Sequence, residues 1–126
     1  MIVLDTNIIM EILEQRSLHQ SVGQAIAAHG SKARISLSTV TVSTVFYLAE
    51  RHKISIKRTE ALVVRYDYID VLSRDVLWAL DHYQQKDFED ALQIAAALRE
   101  GCKTFMTLDK KLANKYGKHL NIQLIQ

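Results

Sequence analysis

The stretch DFEDALQIAAALREGCKTFMTLD, residues 87–109, decides how this chain is read. Ala91, Ile94, Ala95 and Leu98 recur at i, i+3, i+4 and i+7, the stripe of a helix with one buried face. Gly101 stops that helix, where a residue able to turn left-handed commonly ends one. Lys103 to Met106 reads as a short buried strand, and Asp109 follows it closely. Asp87 opens the helix as its N-cap, with Asp90 three residues on. A helix running straight into an apolar strand is the second half of a βαβ unit, and such units build parallel sheets.

The same alternation continues outward. Ile2-Val3-Leu4 is a strand at the N-terminus, followed by a helix from Asn7 to about Glu14. A second helix spans His19 to Ala28, then a strand Arg34 to Leu37, then helices Thr41 to Arg51 and Ile56 to Tyr66. Ile69 to Leu72 is a strand, and Ser73 caps a helix ending near Tyr83. Beyond Asp109, a short helix Lys110 to Tyr116 precedes a last strand, Ile122 to Ile125. The expected fold is a single α/β domain over residues 1–126, a three-layer sandwich with about five parallel strands and helices on both faces.

Composition narrows the class. The chain has 126 residues, 48% hydrophobic and 24% charged, with a net charge of +2, as in an ordinary globular protein. Its single cysteine, Cys102, forbids an intrachain disulfide and fits a reducing cytoplasm. No stretch reads as a signal peptide or a membrane span, so no membrane partner is expected. The five histidines are scattered and the cysteine stands alone, so no zinc spacing is present.

Three acids fall at special points. Asp5 follows the first strand and Asp109 a later one, and the carboxyl ends of parallel strands share the edge where ligands bind. Asp90 joins them if its helix starts at that edge. Each acid alone is also explained by helix capping, or by the attraction of first-turn acids to the helix dipole. Convergence of two strand ends is what capping does not require. Gathered carboxylates repel unless protonated or neutralised by a cation, and an oxygen-only set selects a hard ion, Mg2+ or Mn2+. Lys110 and Lys111 adjoin Asp109 and are candidate phosphate contacts. Lys115 and Lys118 lie further on, and Arg51, Lys53, Lys57 and Arg58 form a second basic group. Solvated surface faces are the plain alternative for any of these cations.

At these residues the chain resembles the PIN-domain nucleases. Leu4-Asp5-Thr6-Asn7 is similar to that family's opening motif, Asp87 to Gln93 with Ala95 to Leu98 to its central helix, and Thr107-Leu108-Asp109 to its closing motif. The resemblance implies a divalent-metal-dependent endoribonuclease, with Asp5, Asp90 and Asp109 as metal ligands and Asn7 and Thr107 shaping the site. It also implies VapC-like toxins, with an antitoxin protein as partner and homodimers common. One departure stands out: Thr44 occupies the place of a customary glutamate, so it too enters as a site-shaping residue. The segment is closer to a PIN subgroup lacking that acid. Asp87 or Glu89 could make up the lost carboxylate, and Asp87, on the same helix face as Asp90, is the preferred one. Two other readings compete. A receiver-type phosphoacceptor would want paired acids after the first strand. A non-catalytic PIN module, binding RNA or protein through a decayed metal site, would bind metal without turnover.

Overall fold

The computed structural model describes all 126 residues. Five strands, β1 (Ile2–Leu4), β2 (Ile35–Ser38), β3 (Asp67–Ile69), β4 (Thr104–Thr107) and β5 (Ile122–Leu124), form one sheet in the order β3-β2-β1-β4-β5. Every neighbouring pair is parallel. Seven helices connect them: α1 (Thr6–Leu13), α2 (His19–Ala27), α3 (Thr39–Arg51), α4 (Ile56–Val63), α5 (Ser73–His82), α6 (Phe88–Arg99) and α7 (Lys110–Tyr116). The α/β sandwich expected from the alternation is what forms.

Strand pleating divides the core. Ile2 and Leu4 turn to one face, where Ile8, Ile9 and Leu13 of α1, Val22 of α2, Val45 and Ala49 of α3, and Leu62 and Val63 of α4 are buried with them. Val3, between them, turns to the other face and joins Ala79 of α5, Ala91 and Ile94 of α6, and Leu112 and Tyr116 of α7. Phe105 and Met106 of β4 split the same way. Strands buried on both faces must be apolar throughout, as β1 is. Gly101, at φ +66°, provides the left-handed residue that lets α6 turn sharply into β4.

The strand order reverses at β1. The chain leaves β1 toward β2 on one side and leaves β4 toward β5 on the other, so a crevice opens between the carboxyl ends of β1 and β4. α6 leads directly into β4 and so begins at that same edge. No helix is long and apolar enough to cross a membrane.

Most element ends fall within one to three residues of the sequence reading, and two of the differences have a clear cause. β3 pairs through Asp67 to Ile69 rather than Ile69 to Leu72, because its register follows Ser36 to Ser38 of β2. The N-cap of α5 is Leu72, whose amide is taken by the Asp75 carboxylate at 2.8 Å, while Ser73 is already helical.

Candidate active site

Asp5 is the fixed point of the crevice. It is only 3% exposed and sits at the N-cap of α1. Its Oδ1 accepts from the Thr6 amide at 2.7 Å and from Gln93 Nε2 at 3.2 Å, and its Oδ2 from Thr107 Oγ1 at 2.7 Å. Burial pushes its carboxyl up to about 6, against those hydrogen bonds and with a further push from the Asp109 charge.

Asn7 and Thr107 hold this arrangement from the side. Asn7 Nδ2 donates to Thr107 Oγ1 at 3.3 Å, and Asn7 Oδ1 accepts the Leu108 amide at 3.1 Å. Thr107 Oγ1 also accepts the Asp109 amide at 3.0 Å, so one hydroxyl ties both aspartate segments together. Asp109 caps α7 through Oδ1, which accepts the amides of Lys111 at 2.9 Å and Leu112 at 3.2 Å. Capping therefore does not keep Asp5 and Asp109 apart from one another: each caps a helix, and the charge of Asp109 still acts on Asp5.

Asp90 is different. It makes no hydrogen bond within the protein, and burial together with the charges of Asp5, Asp109, Glu89 and Asp87 raises it to about 7. Two carboxyls raised this far beside a third acid make a site poised for a cation. The donor set, carboxylate only, fits a hard divalent ion. No three of these side chains stand close enough to form a ready-made metal cluster.

The cleft itself measures about 250 Å³ and is lined on its acidic side by Asp5, Asn7, Glu89 and Asp90. Thr44 Oγ1 donates to Glu89 Oε1 at 2.9 Å, linking α3 to α6 where the resembled family carries a glutamate.

Asp87 is a correction. The sequence reading preferred it to Glu89 as the extra carboxylate and paired it with Asp90 as a cap. Both its oxygens are committed elsewhere: Oδ1 takes the Gln84 amide at 2.8 Å, and Oδ2 takes Lys115 Nζ at 2.8 Å and Tyr116 OH at 2.7 Å. It pins α7 to the start of α6 and makes no cap bond. Glu89 lines the cleft instead. Lys115 Nζ is held by Asp87, whereas Lys110 and Lys111 are exposed at the start of α7.

Sequence reasoning missed a buried polar chain. Gln93, 1% exposed, donates to Asp5 and accepts Thr41 Oγ1 at 2.8 Å through Oε1. Ser38 Oγ donates to Thr41 Oγ1 at 3.2 Å and accepts the Thr41 amide at 3.1 Å. The only clue was spacing, since Gln93 stands one turn after Asp90.

The family model described as PIN domain matches residues 2–118. No curated protein matches the chain by sequence. Among solved structures, a toxin–antitoxin complex from Klebsiella pneumoniae aligns with TM-score 0.75 at 16% identity, over 98% of this chain and 96% of that one. A VapBC complex from Rickettsia felis, bound to a promoter DNA fragment, gives 0.75 at 17% identity over the full length of both chains. A sarcin–ricin-loop-cleaving VapC toxin from Mycobacterium tuberculosis gives 0.73 at 14% identity, over 90% of this chain and 94% of that one. At these identities the likeness speaks for the fold.

Proposed function

This chain belongs to the PIN-domain family, and from that premise we propose that it is a divalent-metal-dependent endoribonuclease, the toxin of a toxin–antitoxin pair. One observation supports the reading: Asp5 and Asp90 line one cleft at the carboxyl end of β1, and the charge of Asp109, just after β4, acts on both. Asp5, Asp90 and Asp109 would hold Mg2+ or Mn2+. Such an ion supplies Lewis-acid polarisation of a phosphodiester and neutralises charge that builds on its oxygens.

The chain's own residues do the rest. Gln93, Thr107 and the Thr6 amide fix the Asp5 carboxylate before any ligand arrives. Asn7 locks Thr107 and, through the Leu108 amide, the turn that carries Asp109. Lys110 and Lys111 place positive charge beside the site for the RNA backbone. The toxin–antitoxin complexes among the structural neighbours support an antitoxin as partner, and a homodimer is part of the same proposal.

One observation favours a second reading, a PIN module that binds RNA or protein without cutting. Thr44 stands where the resembled family has an acid, and its hydroxyl is bound to Glu89. A single assay separates the two: the chain and its Asp5→Asn variant with a mixed RNA pool, in Mg2+, in Mn2+ and in chelator. Cleavage that needs the ion and vanishes in the variant is the expected result. A metal-dependent rise in melting temperature with no cleavage selects the second reading.

A further inference from the structure

The acids occupy one end of the cleft; its other end has no role in the site described so far. There the lining residues are Met10, Leu48 and Arg16. Arg16 is the one cation among the nine residues that line the cleft. Asp5 caps the start of α1 and Arg16 follows its end, so the two residues enter the cleft from opposite ends of this eight-residue helix.

Arg16 is anchored rather than free. Its Nε and one terminal nitrogen both meet Glu14 Oε2, and Glu14 Oε1 is held in turn by His52 Nδ1 at the end of α3. Burial pushes the Glu14 carboxyl up, but hydrogen bonds from His52 and Arg16 outweigh it and keep it below its ordinary value. The second terminal nitrogen of Arg16 has no partner in the protein, and a planar guanidinium suits a phosphate.

From end to end the cleft therefore offers carboxylates, a strip of Met10 and Leu48, and a braced guanidinium. A metal ion alone would use only the first. A polyanion with weakly polar units between its charges uses all three, and single-stranded RNA has that pattern. We propose that Arg16 binds a phosphate of single-stranded RNA next to the one placed at the acids, with the intervening nucleoside against Met10 and Leu48. Glu14 and His52 position its guanidinium. The proposal rests on the ribonuclease reading.

The test uses the full chain carrying Asp5→Asn, in chelator, and a labelled single-stranded RNA of mixed sequence followed by fluorescence anisotropy. Adding Arg16→Ala should weaken binding about tenfold and lower the slope of log affinity against log salt by about 0.7, one phosphate's worth on a single strand. Arg16→Lys should retain part of the affinity. In the chain with Asp5 intact, Arg16→Ala should raise KM and leave kcat unchanged, and the melting-temperature rise with Mg2+ should persist. Lys103→Ala, which removes an exposed charge at the opposite edge of the sheet, is the control. Equal loss in Lys103→Ala, unchanged binding in Arg16→Ala, or no RNA binding by the chain overturns the proposal. RNA binding that needs Arg16 in a chain that never cleaves overturns the nuclease reading alone.

Discussion

Replacing Asp90 with asparagine isolates the electrostatic strain of the acidic cleft. The side chain makes no hydrogen bond, so the amide loses none. Its carboxyl stands at about 7 against an ordinary 3.8. Keeping it ionised in the fold above pH 7 costs up to about 4 kcal/mol, at about 1.4 kcal/mol per tenfold. Water reaching this half-buried group reduces that to about 2 kcal/mol. A carboxyl raised in the fold binds its proton more tightly than in the unfolded chain, so stability falls as pH rises from about 4 through 7. Asp90→Asn should therefore be more stable than the parent at pH 8 in chelator, by about 2 kcal/mol or roughly 5–10 °C for a domain this size. The advantage should vanish near pH 4. Urea and thermal unfolding at both pH values measure it. Mg2+ at pH 8 should narrow the gap by stabilising the parent more than the variant. A variant no more stable than the parent at pH 8, or equally favoured at pH 4, would refute the reasoning.

Two further substitutions probe the groups around the acids. Gln93→Leu removes a donor from Asp5 and leaves the Thr41 hydroxyl without its acceptor, so urea unfolding should show a loss of about 1–3 kcal/mol. Calorimetry should also show divalent-ion affinity falling at least about tenfold, and an unchanged affinity would mean that Gln93 does not position Asp5. Asp87→Asn breaks the bond to Lys115 and should cost about 2 kcal/mol at pH 7. Although burial opposes it, the bonds from Lys115 and Tyr116 hold the Asp87 carboxyl below its ordinary value. Its contribution is therefore complete at neutral pH and lost as pH falls through the acid range, so the two proteins should converge there. A gap of the same size at pH 7 and pH 3 would show that charge is not its source.

What could be read in the sequence was what depends on period and on strand ends. α6 and β4 stood out because Ala91, Ile94, Ala95 and Leu98 repeat at helical spacing and Gly101 breaks the pattern. Asp5 and Asp109 could be placed together because parallel strands share one edge, whatever their detailed register. β3 was misplaced because Val71 and Leu72 are more apolar than Asp67 and Tyr68, while pairing to β2 chooses the latter. Asp87 was misread because an i, i+3 rule sees only its own helix. Its partners, Lys115 and Tyr116, are 28 and 29 residues away. Gln93 and Thr41 look like surface residues in any one-helix view. Only packing of α3 against α6 makes them a buried pair, 52 positions apart. Arg16 lay outside both basic groups in the sequence, and its place in the cleft depends on packing that spacing does not show.

The central position of β1 has a consequence for a chain emerging residue by residue. Ile2 pairs with Ile35 on one side and with Thr104 on the other. A nascent chain can dock β2 early, but the second flank of its first strand stays open until the last quarter of the protein has been made. Until then Val3 lacks Phe105 beside it, and Asp5 lacks both the Thr107 hydroxyl and the neighbouring Asp109. An interrupted polypeptide ending before β4 thus contains no assembled acidic centre, however well its first half has folded. Arrival of β4 covers the open flank of β1 and brings Thr107 and Asp109 to Asp5 in the same event.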